Sequence, residues 1–435
     1  MASAHLSRAF SSSSTNTKAT WSYWLKLSDV TSNNENFIFA SRDAANNNLR
    51  TYFRVSNDRT FAVLMYDGSG NQLVNKQTTR TFRDPAAWYH VVYRVDTTQG
   101  SADDRVRLYV NGVQITSFTT NTQPAQNSAI RTVSSVNTVW GVNHTPSGGA
   151  YLNGILTHIN FVEGTSYGPT SFGETDASTG VWVPKTAPSV TYGANGYFLK
   201  MDNSANMGLD SANSNNFTTN GTIIQTKDTP SNVYATLNPL IPTNSFAGNF
   251  SNINGTIATS TSAKGVMLST FGASSGKWYF EMKHTNTDDI GVGIADQAIS
   301  LDTWSPSTGN YVFLLQNGEV RRPSGSTSSG TTFTQNDIIG VAWNATDSEV
   351  TFYKNGTAIN SGTAFGVEGT QGTMFFAVAD TGTGSDPTAS FNFGNGYFGT
   401  TAVSSAGSNG NGSVFEYDVP TGYYALNTQN IGAHS

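Results

Sequence analysis

Two stretches of this chain run through one order of roles, and that order leaves few folds open. Residues 88–115 read WYHVVYRVDTTQGSADDRVRLYVNGVQI. Tyr89, Val91, Tyr93 and Val95 fall on one face of an extended chain, and His90, Val92 and Arg94 on the other. After an acidic loop, Val106, Leu108 and Val110 alternate with Arg105, Arg107 and Tyr109. Period two is the signature of half-buried strands. The run closes on Asn111-Gly112, a pair that tolerates positive φ and suits a type I′ hairpin. Residues 336–359, NDIIGVAWNATDSEVTFYKNGTAI, repeat the order: apolar strand, loop with Asp347 and Glu349, alternating strand, Asn355-Gly356, strand. A hairpin of this kind needs a second sheet over its apolar face. Two sandwich modules in one chain are therefore expected.

The length of 435 residues is more than one ordinary core takes up, so two or three domains are expected. Few segments carry helical periodicity, which favours an all-β class. Charged residues make up only 12% of the chain, yet its aromatic and β-branched content argues against disorder. The net charge is −6 and no basic cluster exceeds Arg321-Arg322, so no footprint for a phosphate backbone is present and nucleic acid is not an expected partner. There is no cysteine, which excludes disulfides, thiol nucleophiles and cysteine-based metal sites and fits assembly in a reducing cytoplasm. No run reaches the length of a transmembrane helix, and MASAHLSRAFSSSS has no apolar core of a signal peptide. Neither membrane insertion nor a secretory route is expected.

Along the chain, residues 6–10 and 19–28 read as strands, with Trp21, Tyr23 and Leu25 on one face and Trp24 on the other. Phe37–Ala40 reads as a short buried strand. Leu49–Val55 and Phe61–Tyr66 read as a hairpin around Asn57-Asp58, with Asp67-Gly68 as the next turn. Val139–Val142 and Ile155–Val162 complete the first set. Such spacing means a sandwich or barrel. The blocks FRDPAAWYHVVYRVD, DRVRLYVNGVQI and YLNGILTHINFVEG resemble the laminin-G-like branch of the concanavalin A-type jelly roll, in the form that opens many phage virion proteins. That resemblance covers residues 1–168. Residues 169–243 are rich in Gly, Asn, Ser and Pro turns but hold Trp182, Tyr192, Tyr197, Phe198, Phe217 and Tyr234. Aromatics of that number suit an ordered connector better than a free tether.

From about Phe246 strands resume. GKWYFEMKH, IGVGIAD, YVFLLQNGEV, NDIIGVAWN, MFFAVAD and ASFNFG together resemble a SPRY domain, another concanavalin-like sandwich, over residues 244–421. The second module with its tail is taken as 244–435; the tail GYYALNTQNIGAHS matches no part of that pattern. The expected architecture is thus all-β: two concanavalin A-like jelly-roll sandwiches joined by an ordered, loop-rich connector.

Glycosidases of the concanavalin type set carboxylates on alternate residues of one strand so that two face a cleft. Glu174-Thr175-Asp176 and Glu416-Tyr417-Asp418 each lack the third carboxylate. Gly164–Gly168 and Gly272–Gly276 spell a nucleophile elbow, and Gly394–Gly399 spells a dinucleotide turn. Those motifs need a following helix, and none is expected after any of them. The histidines His5, His90, His144, His158, His284 and His434 show no i, i+3 or i, i+4 pairing for a metal. No catalytic residue, metal or cofactor is assigned. Calcium stays a candidate ion because laminin-G-like relatives hold it on rim loops; Asp96, Asp103 and Asp104, or Asp380 and Asp386, are the oxygens available.

Sugar sites combine an aromatic platform with polar groups that meet hydroxyls. The residues of that type are Trp140, His144 and Tyr151 in the first module and Trp304 and Tyr311 in the second, with core packing as the competing role for each. The two resemblances imply a non-enzymatic bacteriophage virion structural protein: a fibre, spike or capsid decoration, assembled in the host cytoplasm. It would contact other virion proteins, form a homo-oligomer (a trimer by analogy with phage fibres) and attach to a host-surface glycan or protein. The alternatives are a polysaccharide depolymerase and a bacterial surface adhesin.

Overall fold

The computed structural model of the protein describes residues 4–28, 34–43, 49–143, 150–240, 250–253, 255–260, 265–299, 308–369, 372–382 and 386–435. The fold is all-β and consists of two compact units, Met1–Gln225 and Thr226–Ser435. Among the described residues no helix is long and apolar enough to cross a membrane.

In the first unit the alternation of apolar residues builds two facing antiparallel sheets. One has eight strands in the order Phe118–Thr122, Gln72–Thr81, Thr60–Tyr66, Arg50–Val55, Asn36–Arg42, Asn137–Trp140, His5–Arg8 and Thr218–Asn220. The other has six: Val113–Ile115, Val106–Val110, Trp88–Asp96, Lys18–Leu27, Gly154–Glu163 and Tyr197–Leu199. Between them lies an aromatic core. Trp21 meets Phe53 edge-on at 5.3 Å and Phe161 at 5.1 Å, Phe39 lies 4.8 Å from Trp140, and Phe53 stacks on Tyr93 at 4.3 Å. Rings packed this way add to what their buried area already supplies.

The stretch read as a connector does not stand apart from the sandwiches. Tyr197–Leu199 is an edge strand of the six-stranded sheet and Thr218–Asn220 an edge strand of the eight-stranded one. Gly173–Thr175 and Trp182–Pro184 form a hairpin, and Trp182 reaches His90 on the six-stranded sheet. Asp210 orders the turns between them: its carboxylate accepts from the backbone N–H groups of Phe198, Ala212, Asn213 and Asn215. The division between the units falls inside this stretch, after Gln225.

The second unit repeats the architecture. A seven-stranded sheet runs Leu237–Asn238, Gly265–Ala273, Met374–Asp380, Ile290–Ala295, Tyr311–Leu315, Glu319–Arg322 and Gly325–Ser328. The facing sheet runs Phe250–Ile253, Ile257–Ser260, Thr388–Asn392, Lys277–His284, Ile338–Asn344, Glu349–Lys354 and Thr357–Ala358. Trp278, Phe280, Trp343, Phe376, Phe391 and Phe393 fill the space between. The tail that matched no pattern is part of this unit. Tyr424–Ala425 pairs in parallel with Lys277–His284, and Thr428–His434 forms a short helix capped by the Asn427 side chain.

Both expected hairpins form as the Asn-Gly pairs dictate. Asn111 and Gly112 have φ of 50° and 79°, and Asn355 and Gly356 have 48° and 80°. Each Asn also ties its turn to the neighbouring strand. Asn111 donates its N–H to the His90 carbonyl at 2.8 Å, and its side chain accepts the His90 N–H at 2.7 Å. Asn355 makes the same pair of bonds with Ile338, both at 2.8 Å.

Candidate functional site

Strand alternation in the eight-stranded sheet sends Phe39, Phe53, Val63 and Trp140 into the core and Ala40, Tyr52, Leu64 and Val139 to the other side. The register arranges the outward residues in rows. Asn137, Arg42, Arg50, Tyr66 and Gln72 form one. Ser7, Val139, Ala40, Tyr52, Leu64 and Asn75 form the next. Phe37, Arg54, Ala62 and Gln77 form a third. Ala40, Val139 and Val142 are the buried floor on which Tyr52 and Tyr151 pack, both half-buried.

The aromatic rings of this face are joined. Tyr52 stacks on Tyr66 with centroids 6.1 Å apart, Phe37 lies 5.7 Å from Tyr52, and His5 lies 6.2 Å from Tyr151. The Arg50 guanidinium sits 4.0 Å above the Tyr66 ring, a cation–π geometry, and Gln72 donates to the Tyr66 hydroxyl at 2.8 Å. Burial pushes the Tyr52 phenol up to about 12, reinforced by its hydrogen bond with Tyr66. On Tyr66 burial acts in the same direction, but hydrogen bonds with Tyr52, Arg50 and Gln72 outweigh it and lower the phenol. Arg54 pairs with Glu35. The result is a surface of tyrosine rings edged by guanidinium donors, able to stack against a flat apolar face and to donate to oxygens.

The residues expected to bind sugar are scattered by the structure. Tyr151 joins this face through its bridge to Val142. Trp140 does not: it is 1% exposed, and its indole N–H donates to the Tyr197 hydroxyl at 2.9 Å inside the sandwich. One residue of strand alternation decides this, since Val139 points out and Trp140 in. Tyr311 is 3% exposed, in a cluster with Phe313, Leu315 and Phe375, so it offers no platform. His144 and Trp304 lie outside the described residues. Tyr52, Tyr66, Arg42, Arg50 and Arg54 were missed, although RTYFRV already places arginines and a tyrosine on one alternating face.

His90 Nε2 lies 2.8 Å from Ser22 Oγ. The spacing is that of a nucleophile and its base, but the proton is on the wrong nitrogen. Trp182 Nε1–H donates to His90 Nδ1 at 2.9 Å. An indole nitrogen only donates, so Nδ1 accepts and the neutral ring carries its proton on Nε2, toward the serine. Burial, with repulsion from His158, pushes His90 down to about 3, so it is neutral near pH 7. The ring is stacked between Trp24 at 4.8 Å and Trp182 at 5.9 Å and is fully buried. This is a clamp that holds an outer layer on the six-stranded sheet.

Most of the carboxylates singled out in the sequence are taken up by local bonds. Asp176 caps Ser178 and Thr179, Glu416 accepts from Ser404, and Asp418 accepts from the Ser408 N–H. Asp96 accepts from Thr98 and Gln99, Asp103 from Asn121, and Asp104 pairs with Arg107. Asp380 is buried and accepts from Ser260 and the Gly382 N–H. Among the described residues no three acidic or histidine side chains gather as metal ligands. Gly272–Gly276 links two strands, and Gly394–Gly399 leads into the short strand Tyr397–Phe398.

Comparison with known proteins agrees with this architecture. Residues 3–166 match the Laminin_G_3 model, described as the Concanavalin A-like lectin/glucanases superfamily, and residues 277–396 match the SPRY domain model. No match was found among curated protein sequences. Solved structures similar to parts of the chain include the SPRY domain of human HERC1, at 18% identity and TM-score 0.28, covering 32% of this chain and 88% of that one. Stonustoxin is 16% identical with TM-score 0.30 over 37% of this chain, which spans 28% of the toxin chain. A native heptameric SAP-like pentraxin from Limulus polyphemus is 19% identical with TM-score 0.27, over 38% of this chain and 71% of that one. By the family models, residues 3–166 are similar to the laminin-G-like concanavalin-type domain and residues 277–396 to the SPRY domain.

Proposed function

We propose that this is a non-enzymatic attachment protein that displays two β-sandwiches on a phage particle and holds a host-surface saccharide on the outer face of its eight-stranded sheet. The observation that carries the reading is the joined Tyr52–Tyr66 stack with Arg50 over Tyr66. Tyrosine and arginine are the side chains that most often dominate binding energy, because they present large contact area with donors at its edge. The concanavalin-type lectin similarity of residues 3–166 supports a sugar as the ligand. The particle rests on the resemblance of the first 168 residues to modules that open phage virion proteins; other virion proteins and further copies of the chain would then be its partners. The wrong-way tautomer of His90 and the self-capped carboxylates favour contact over bond-making.

A glycan array probed with the intact chain and with its Tyr66→Ala variant tests this. The wild type is expected to bind a defined set of saccharides, and the variant to lose about tenfold in affinity, the order of one stacking contact. Binding that is unchanged in the variant, or no binding at all, overturns the assignment.

A further inference from the structure

We infer that the saccharide held on this face is acidic, carrying carboxylate, sulfate or phosphate groups. The inference rests on the proposed binding face and adds the chemical class of its ligand.

Arg42 and Arg50 are directly paired across adjacent strands and point to the same side. Side chains so placed have Cβ atoms about 5 Å apart, and like charges there repel. A fold that needed only a sheet surface would set a neutral or acidic residue at one of the two positions. Arg54 lies four residues further along the same strand, where it pairs with Glu35. The described acidic groups nearby are engaged by other groups as well. Glu35 is engaged by Arg54, and Asp43 faces the largely buried Arg131 at 3.8 Å. Asp58 accepts from Thr60 and Gln77 at one hairpin, and Asp67 caps Ser69 and Asn71 at the next. The Arg42 side chain makes no ion pair or hydrogen bond with any described residue. This arginine pair stands on a chain of net charge −6, so it is not the overflow of a basic protein.

A guanidinium presents a planar fork that meets carboxylate, sulfate or phosphate with two parallel bonds. The neighbouring Tyr66 and Tyr52 rings supply the flat surface a sugar ring needs. Acidic group on Arg42 and Arg50, ring on the tyrosines: Tyr66 shares the row of the two arginines and Tyr52 stands in the adjacent row of the same sheet.

The test uses the full chain on an array of oligosaccharides in matched pairs: oligogalacturonate against its methyl ester, sialylated against asialo glycans, and heparin fragments against desulfated ones. Binding is expected among acidic members and absent from their neutral partners. Raising NaCl from 0.05 to 0.5 M is expected to weaken it about tenfold or more, as screening of two charged contacts requires. Arg42→Gln is expected to lose about tenfold and Arg42→Lys distinctly less, since charge without the fork is retained. Arg42 is a half-buried surface residue, so a circular-dichroism melt unchanged from wild type separates binding from folding. Equal binding of neutral partners, with Arg42→Gln like wild type, overturns the acidic ligand and leaves the saccharide face standing. No binding to any member overturns both.

Discussion

The two sandwiches share a hairpin and differ in what covers them. At Asn111 and Asn355 the same residue makes the same turn and the same reciprocal bonds to the adjacent strand. Outside the sheets the solutions diverge. The first unit closes its six-stranded sheet with a neutral imidazole between two indoles, His90 between Trp24 and Trp182. The second fastens its C-terminal segment with a buried carboxylate. Glu281 accepts the backbone N–H groups of Glu416 at 2.8 Å and Tyr417 at 2.9 Å, with Tyr279 and Asn392 at 3.3 Å. Burial raises its carboxyl to about 7 against the pull of those four donors. One clamp is a base kept from charging and the other an acid kept from charging, so the units should answer to pH in opposite senses.

The sharpest break in that comparison lies in the acid limb of the first unit. The folded imidazole of His90 titrates at about 3 and the unfolded one near its ordinary 6.5. Its contribution is complete above pH 6.5 and is lost as pH falls toward 3, on the order of 4 to 5 kcal/mol in all. Exchange rates of the strand Trp88–Asp96, followed by mass spectrometry between pH 7 and 4 after correction for intrinsic exchange, should show protection falling with acid. The second unit runs the other way. Stability from Glu281 is complete below about pH 4.5 and lost as pH rises through about 7, roughly 3 kcal/mol. Protection in Lys277–His284 should therefore rise as pH drops from 7.5 to 5. If both units weaken together in acid, the contrast between the clamps is wrong.

Removing the acceptor altogether is the mutational counterpart. Glu281→Ala leaves the Glu416 and Tyr417 N–H groups without a partner inside the protein and should cost about 3 kcal/mol in denaturant unfolding of the second unit. His90→Phe keeps the stack but strands the Trp182 N–H and the Ser22 hydroxyl, and about 2 kcal/mol is expected from the first. The smallest effect belongs to the shared feature. Asn111→Ala and Asn355→Ala each lose a tolerant positive-φ residue and the side-chain bond to the neighbouring strand, and Asn355→Ala also an exposed bond to Asp337, for about 1 to 2 kcal/mol apiece. Near-equal values would confirm the hairpins as equivalent, and a difference above about 1 kcal/mol would separate them.

Local features were legible in the sequence and long-range ones were not. The hairpins could be read because an Asn-Gly pair sets its own φ values and its strands alternate on either side. The strand Gln72–Thr81 escaped because QLVNKQTTRT is polar, yet it lies next to the sheet's edge with Lys76 turned inward. That lysine is almost fully buried, its ammonium donates to the Val106 carbonyl at 2.9 Å, and burial pushes it down to about 8. The clamps escaped for a different reason. Trp182 is 92 residues from His90 and Glu416 is 135 from Glu281, and nothing in either neighbourhood names the other. Half of the candidate site was in view, since Arg50, Tyr52 and Arg54 alternate in plain sequence. The other half depends on register, which sets Arg42 opposite Arg50 and turns Trp140 away from the surface beside Val139.

The outer face of the eight-stranded sheet is the centre of the account, and a hydrogen-exchange footprint tests it most directly. The intact chain would be compared with and without its strongest saccharide from the glycan array. Added protection concentrated in Arg50–Val55 and Thr60–Tyr66 is the expected result. Protection confined to the SPRY unit, or to segments away from these two strands, would contradict it.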